Sequence, residues 1–374
     1  MTPWLITGFT VVLTYFLDRW DTPWLRKLFA WVPAILLAYL LPAGLSALLG
    51  ADFSDHAIHG YSRSYFIPLA IVAVMSSLSV GQLGSIGWKP LAVFVAGSWW
   101  IAVFPVVLAM ALAGTHFVTE TLVEAAYWKG IPPIVGSWIG GSTSQLVLKE
   151  VVDCPEHIFL SILVIDNILV NIWTILMFQG IKRSDRLNAR LGITDDAMPA
   201  PLPPRDGVPL HPLVCLGLLL FSVLAIDYLV DAFVARILVL SAVGLLLSNL
   251  LRTWNQTFAL RLGAVMILVV MAVLGLRLRF DLVRFEGELL AFLLVWLISH
   301  FAFMLLVARA LNVNAAWVPI ASMANVGGIA TAPAVTAAYE KRWMPHAVLL
   351  AILSMATGTV WGLLTIYLFE WWVV

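Results

Sequence analysis

Ten apolar runs in the sequence are long enough to cross a bilayer as helices, and they leave little choice of fold. A spanning helix needs about 20 mostly apolar residues. Hydrophobic residues make up 62% of the chain and charged residues 11%, which is more apolar surface than a soluble domain can hide. The sequence therefore predicts an all-α polytopic membrane protein, with runs near 2–17, 28–49, 64–82, 88–112, 157–181, 210–229, 233–250, 259–276, 286–308 and 345–370.

The charge balance limits the classes of binding partner that are expected. The 21 lysines and arginines equal the 21 aspartates and glutamates, and a neutral chain is not expected to bind nucleic acid. Tryptophans flank many of the apolar runs, as in the aromatic belts of membrane proteins. The expected partners are the lipid bilayer and a small-molecule or ion substrate, without an organic cofactor.

Two further segments, near 131–151 and 315–339, are apolar but interrupted by glycines and hydroxyl residues. They read PPIVGSWIGGSTSQLVLKE and VPIASMANVGGIATAPAVTAAYE. Both contain a Gly-Gly pair followed by a hydroxyl residue, and self-similarity of this kind indicates an internal repeat. The matched positions are Gly140 with Gly327, Gly141 with Gly328, Thr143 or Ser144 with Thr331, Glu150 with Glu340, and Pro155 with Pro345.

The repeat divides the chain into three parts. Residues 1–181 form the first repeat and residues 209–374 the second, each with about five transmembrane helices and one broken or re-entrant Gly-Gly segment. Residues 182–208 between them are polar, charged and rich in proline, which is typical of a linker.

The distribution of lysine and arginine selects between two topologies. If both broken segments cross the membrane, these residues divide almost evenly between the two sides. If both segments re-enter on one side, about twice as many lie inside as outside, which the positive-inside rule favours. We therefore expect ten crossings, two inverted repeats, a cytoplasmic linker and both termini outside.

The broken segments also indicate a binding site. Irregular backbone at membrane depth is tolerated where protein or a water-filled cavity satisfies its polar groups, and the ends of half-helices bind ions and charged solutes. Tight helix packing is the alternative, since glycine and serine let helices approach closely. The candidate residues are Gly140, Gly141, Ser142, Thr143, Ser144, Asn325, Gly327, Gly328 and Thr331.

The run after the first broken segment carries Asp166 and Asn167 near its middle, and Asn171 follows on the same helical face. A carboxylate inside the membrane is expensive and is a functional candidate by default. Asp166 and Asn167 are thus a possible Na+ site, or Asp166 exchanges a proton. The alternative is an aspartate neutralised by a partner for helix packing.

For three other ionisable residues, the sequence gives less specific evidence of a functional role. His300 lies on an apolar run and is expected to be a packed histidine. Lys149 and Glu150 form either a local pair at the mouth of the first broken segment or a solvated pair in a loop.

The motifs GGSTSQLVLKE, VIDNILVNIW and ASMANVGGIATAPAVTAA resemble those of DUF819, a membrane protein family of unknown function, over nearly the whole chain. That family is similar to the grouping of cation/proton antiporters and anion transporters. The resemblance implies inverted repeats, a core domain that moves against a scaffold domain, and a homodimer. It also implies a cation site at Asp166 and Asn167, the positions that match the antiporter motif.

These patterns predict a secondary active transporter of the plasma (bacterial inner) membrane. The first hypothesis is symport of a small organic, anionic solute coupled to Na+ or H+. The second is a monovalent cation/proton antiporter, and a non-transporting sensor is a weaker alternative. An enzyme would need a nucleophile such as Ser142 with a base and an orienting group, and no third group appears beside His157, so no catalytic residue is expected.

Overall fold

The computed structural model of the chain describes residues 1–20, 22, 34–77, 84–195, 199, 208–251, 253–278 and 286–374. Over these residues the regular backbone is helical, without a β-strand. The all-α prediction is confirmed.

The helices follow the apolar runs and the broken segments. In the first half they are α1 (Thr2–Arg19), α2 (Ala34–Leu48), α3 (Ile58–Tyr61), α4 (Ile67–Met75), α5 (Trp88–Ala111), α6 (Ile131–Val135), α7 (Gly141–Val151) and α8 (Glu156–Ile181). Then come α9 (Ser184–Leu191), α10 (Pro212–Leu229), α11 (Phe233–Leu250), α12 (Gln256–Gly275), α13 (Gly287–Ala310), α14 (Trp317–Val326), α15 (Gly328–Ala337) and α16 (Met344–Trp372). Tighter or wider helical turns cover Ser62–Phe66, Phe117–Glu124, Tyr127–Gly130, Gly136–Gly140 and Lys341–Trp343.

Seven of the described helices, α5, α8, α10, α11, α12, α13 and α16, are long and apolar enough to cross a membrane. Each coincides with a predicted run, so the chain is a multi-pass membrane protein by length and composition of its helices. Shorter apolar helical stretches cover Thr2–Leu17 and Leu37–Leu48. The predicted runs near 28–49 and 64–82 extend beyond the described residues, at 28–33 and 78–82.

The described chain forms two compact units, and each unit draws on both halves of the sequence. Unit 1 contains Met1–Leu78, Cys154–Ile168 and Asp206–Phe285, and unit 2 contains Ser79–Asp153, Leu169–Arg205 and Glu286–Val374. The units therefore do not coincide with the repeats predicted from sequence. Helix α8 contributes its residues up to Ile168 to unit 1 and the rest to unit 2.

Unit 1 is built around α12, which packs against α1, α2 and α4. Glycines on α12 allow this close approach: Gly263 faces the side chain of Val74, and Gly275 faces the backbone carbonyl of Tyr39. Small residues at such contacts are typical of membrane helices, because packing rather than water drives their association.

In unit 2, α5 and α13 pack against each other in opposite directions. The ring of Trp100 stacks on Phe303 with centroids 4.1 Å apart. Phe117, just after α5, meets Phe292 near the start of α13, with centroids 5.6 Å apart. The end of α5 therefore lies beside the beginning of α13.

The predicted linker contains a helix, α9, that packs within unit 2. The Asn188 side chain donates to Asn314 Oδ1 at 3.2 Å and accepts from the Ala315 backbone nitrogen at 2.7 Å. The hydroxyl of Tyr339 donates to Asp185 Oδ1 at 3.3 Å. The first part of the predicted linker is thus a helix held by hydrogen bonds to the rest of unit 2. Residues 196–198 and 200–207 lie outside the described chain.

Candidate functional site

The first broken segment changes direction at its Gly-Gly pair. A π-helical turn over Gly136–Gly140 follows α6, and α7 begins at Gly141 with φ +67° and ψ −168°. Glycine adopts this conformation freely, whereas other residues are strained in it. The sequence needs Gly141 because the chain turns there.

After the turn, the first segment folds back on itself. A Cβ placed on Gly136 would lie 2.8 Å from the backbone nitrogen of Gln145, whereas a straight helix would separate these positions by about 13 Å. At the open end, Lys129 Nζ donates to the Asp153 carbonyl oxygen at 3.4 Å. The segment is a hairpin whose ends meet, and we call residues 127–153 hairpin 1.

The second broken segment has the same form. Helix α14 ends at Val326, and α15 begins at Gly328, which has φ +70°. The ends meet again: Trp317 stacks on Trp343 with ring centroids 4.8 Å apart. We call residues 314–343 hairpin 2. Both broken segments therefore fold back on themselves at their Gly-Gly pairs.

The two breaks match in detail. Gly140 has φ −109° and ψ −4°, and Gly327 has φ −107° and ψ −17°. A Cβ on Gly140 would overlap the Ser144 side chain, and a Cβ on Gly327 would overlap that of Thr331. Ser144, rather than Thr143, is therefore the residue that corresponds to Thr331.

The hairpins enter unit 2 from opposite ends of α16. Hairpin 2 ends at Trp343, directly before the first residue of α16. At the start of hairpin 1, Trp128 stacks on Phe369, near the last turn of α16, with centroids 6.1 Å apart. A helix of 29 residues is about 43 Å long, so the two mouths are separated by roughly the thickness of a membrane.

The tips of the hairpins meet at the middle of α16. A Cβ on Gly358 of α16 would collide with the backbone of Gly140, so the two glycines allow the chains to touch. One residue further, Thr359 Oγ1 donates to Ser144 Oγ at 3.1 Å. Hairpin 1 thus rests on α16 through its Gly-Gly break.

Asn325, one turn before the break of hairpin 2, joins three parts of the unit. Its Oδ1 atom accepts hydrogen bonds from Ser98 Oγ of α5 at 3.0 Å and Ser354 Oγ of α16 at 2.9 Å. Ser354 Oγ also contacts the carbonyl oxygen of Ile139 in hairpin 1. The side chain of Asn325 is 2% exposed, so these contacts are out of reach of bulk water.

Several buried polar atoms around the tips have no hydrogen-bond partner among the described residues. Buried polar groups are normally paired, and leaving one unpaired costs about 1–3 kcal/mol. A ligand or water that reaches these atoms would complete the pairing. The atoms are Thr143 Oγ1, Gln145 Nε2, Asn325 Nδ2 and Thr331 Oγ1.

The tips are electrostatically suited to groups rich in hydrogen-bond acceptors. Helices α7 and α15 both begin there, and neither has a side-chain N-cap hydrogen bond. The first backbone N–H groups of a helix lack intrahelical partners and carry a partial positive charge. The fully described stretches 131–148 and 317–337 contain no charged residue, so the site offers neutral donors.

Charged residues lie instead near the mouths. Lys149 and Glu150 form an ion pair at 3.2 Å with side chains 5% and 10% exposed, which identifies a buried local pair rather than a solvated one. At the mouth of hairpin 2, hydrogen bonds from the exposed Arg342 lower the pKa of Glu340 to about 2. The matched positions Glu150 and Glu340 therefore have different surroundings.

The other predicted site residues lie on α7 and α8. Ser142 is half-buried in the first turn of α7. Asp166, 6% exposed, and Asn167 belong to the unit 1 part of α8, and Asn171 belongs to its unit 2 part. The structure thus places both Gly-Gly breaks in unit 2 and the possible Na+ pair in unit 1.

Sequence reasoning missed the residues of α5 and α16 that support the tips: Ser98, Ser354, Gly358 and Thr359. Ser98 has no local signal in an apolar run. The stretch Ser-Met-Ala-Thr-Gly-Thr over 354–359 is unusually small and polar for the centre of a spanning helix, and this pattern could have indicated a close contact.

Comparison with known proteins identifies the family of the chain. No curated protein has a matching sequence. The model of the family described as "Protein of unknown function (DUF819)" matches residues 10–201 and 213–370, which include both hairpins and all but the last two residues of α16. The chain therefore belongs to the DUF819 family of proteins of unknown function.

Proposed function

We propose that the protein is a secondary active transporter that carries a small organic anion together with a cation, Na+ or H+, across the plasma membrane. The observation that carries this proposal is the meeting of two matched hairpins at the middle of α16, which they approach from opposite ends. Four buried polar atoms on the hairpins have no hydrogen-bond partner among the described residues. Broken helices of this kind bind solutes near the bilayer midplane in many transporters.

The chemistry of the tips favours an anion. Asn325 Nδ2 and Gln145 Nε2 can only donate hydrogen bonds, and both are buried without partners among the described residues. The N-termini of α7 and α15 add further donors and partial positive charge. A carboxylate would satisfy these donors without a charged side chain.

The entry of the hairpins from opposite ends supports alternating access. In this proposal the halves are inverted repeats, unit 2 is the moving core and unit 1 the scaffold. Motion of a hairpin would open the site toward its own mouth while the other stays closed.

The orientation follows from the basic residues of unit 2. The hairpin 1 side carries Lys129 and Lys149, and the hairpin 2 side carries Lys89, Lys182, Arg183, Arg186, Arg190, Arg309, Lys341 and Arg342. By the positive-inside rule, hairpin 2 opens to the cytoplasm.

Cysteine labelling tests this orientation. In intact cells, a membrane-impermeant maleimide should label the E124C variant from outside, because Glu124 is exposed just before hairpin 1. It should label the R342C variant only after permeabilisation. The native Cys154 and Cys215 are buried, so wild type serves as the control. Labelling of both variants from one side would exclude inverted entry.

Sodium binding tests the coupling ion. Asp166 is a buried carboxylate within a spanning helix, which is the observation that also favours a cation/proton antiporter. A ligand of the native state raises the melting temperature with its concentration. We expect Na+ to stabilise wild type and the exposed-site control Asp231→Asn, and to lose this effect in Asp166→Asn.

The same assay separates the two candidate functions. Stabilisation by small carboxylates, strengthened by Na+ or low pH, is expected of a symporter. Stabilisation by Na+ alone, opposed by protons and indifferent to carboxylates, would favour the antiporter. A Na+ effect that survives Asp166→Asn would move the cation site elsewhere.

A further inference from the structure

His300, which the sequence indicated as a packed histidine, sits in a buried chain of hydrogen-bonding groups in unit 2. Its Nε2 atom lies 3.2 Å from Ser322 Oγ on α14. Ser322 Oγ also accepts the indole N–H of Trp173 at 3.0 Å. His300 and Ser322 are 0% exposed, so both depend on these contacts for their hydrogen bonds.

The donors in this chain leave two arrangements for the neutral imidazole. An indole nitrogen can only donate, and a serine hydroxyl has one proton and two lone pairs. Ser322 accepts from Trp173 and can then either donate its proton to His300 Nε2 or accept a proton from it. Where Ser322 donates, the imidazole carries its own proton on Nδ1, and its Cε1 edge lies against Gly97 of α5.

Where Ser322 donates to the neutral imidazole, protonation of His300 would reverse this hydrogen bond. An imidazolium carries a proton on both nitrogens, so Nε2 would donate to Ser322 Oγ. The Ser322 proton would then turn to another acceptor, such as the carbonyl four residues earlier that helical serines commonly use. Protonation of His300 therefore changes a hydrogen bond on α14, the first arm of hairpin 2.

No charged group lies at the level of His300 to neutralise an imidazolium. The elements packed around it are α5, α14, the unit 2 part of α8 and the turn Gly136–Gly140. Within these segments and α13, all fully described, the charged residues are Lys89, Glu288 and Arg309. Each is at least eight residues along its helix from this level, or about 12 Å.

The hairpin tips, where we propose that the anion binds, lie close to His300 along two helices. Along α14, Ser322 precedes Asn325 by three residues, or about 5 Å. Along α5, Gly97 faces His300, and the next residue, Ser98, donates to Asn325. Opposite charges this close, in surroundings of low polarity, favour each other's presence.

We propose that His300 takes up the proton that accompanies the anionic solute. This rests on the proposed function, and it adds a proton site in unit 2 that is separate from Asp166. One proton moves from water to Nε2 as one negative charge binds at the tips. This pairing is electroneutral, and release of either partner destabilises the other.

The test uses acetate, lactate, succinate, L-glutamate and citrate as probes on purified wild type. The carboxylate that stabilises best is titrated by calorimetry at pH 7.5 in two buffers of different ionisation heat, which gives the number of protons taken up. We expect about one proton per carboxylate bound, and an affinity that falls about tenfold per pH unit as the pH rises.

His300→Gln keeps a polar atom near Nε2 and cannot be protonated. We expect it to bind the carboxylate with no proton uptake and no dependence on pH. His346→Gln is the matched control, because His346 is also buried, on α16, and should behave as wild type. If His300→Gln does not fold, Ser322→Ala is used, and its pH dependence should weaken because the imidazolium loses its acceptor.

Binding to wild type without proton uptake would overturn the proposal, as would uptake of one proton by His300→Gln or an unchanged pH dependence in Ser322→Ala. If no carboxylate binds wild type at any pH, the proposed anion transport itself fails and the coupling fails with it. The absence of carboxylate binding would be seen with wild type alone, before any variant is measured, so it cannot be confused with the other outcomes.

Discussion

Replacing Gly358 by alanine is expected to lower the melting temperature of the protein by several degrees or to prevent its folding. The added Cβ would collide with the backbone of Gly140, which, unlike a flexible side chain, cannot move aside. Overpacking of a tight contact costs about 1–3 kcal/mol or more, and 1 kcal/mol corresponds to a few degrees in a chain of this size. Thermal unfolding of the purified protein measures the effect.

Gly217→Ala is the matched control for this prediction. Gly217 lies in α10, and a Cβ there would meet nothing within 4 Å. Alanine is a better helix former than glycine, so this variant should melt at the same temperature as wild type or slightly above it. Equal melting temperatures for the two variants would show that hairpin 1 does not rest on α16 at this point.

Asn325→Asp is expected to abolish stabilisation of the protein by carboxylates. The substitution preserves shape but replaces the donor Nδ2 with a second acceptor oxygen, and a negative charge would then face the anionic solute that we propose. Because Ser98 and Ser354 already donate to Oδ1, the aspartate should keep these bonds and the fold. We expect the affinity to fall at least 100-fold, measured by calorimetry with the best carboxylate probe.

Two variants separate charge from structure in this experiment. Asn249→Asp adds the same charge at an exposed position of α11 and should leave the affinity unchanged. Asn325→Ala removes the donor without adding charge and should bind more weakly than wild type but better than Asn325→Asp. Undiminished carboxylate binding by Asn325→Asp would place the anion away from the tips.

The spanning helices and the two breaks could be predicted from sequence because they depend on local properties. An apolar run of about 20 residues has few alternatives to a membrane helix, and a Gly-Gly pair within such a run interrupts it. The equivalence of Gly141 and Gly328 could also be predicted, since both need a positive φ.

What the sequence left open depends on contacts between distant segments. Thr143 and Ser144 were equally good matches for Thr331, and the choice follows from which hydroxyl fills the space beside Gly140. Ser98 and Ser354 meet Asn325 from helices far away in the chain. The two units combine pieces of both halves, which no local pattern indicates.

The sharing of α16 has a mechanical consequence. Ser354, Gly358 and Thr359, which touch the two tips, lie within about 8 Å along one rigid helix. Both tips therefore contact the same segment of α16, and a shift of one tip that moves this segment also changes the contacts of the other. If the protein transports as proposed, an open path through unit 2 would require both tips to lose their contact with α16 at once, and this helix would couple the two entrances.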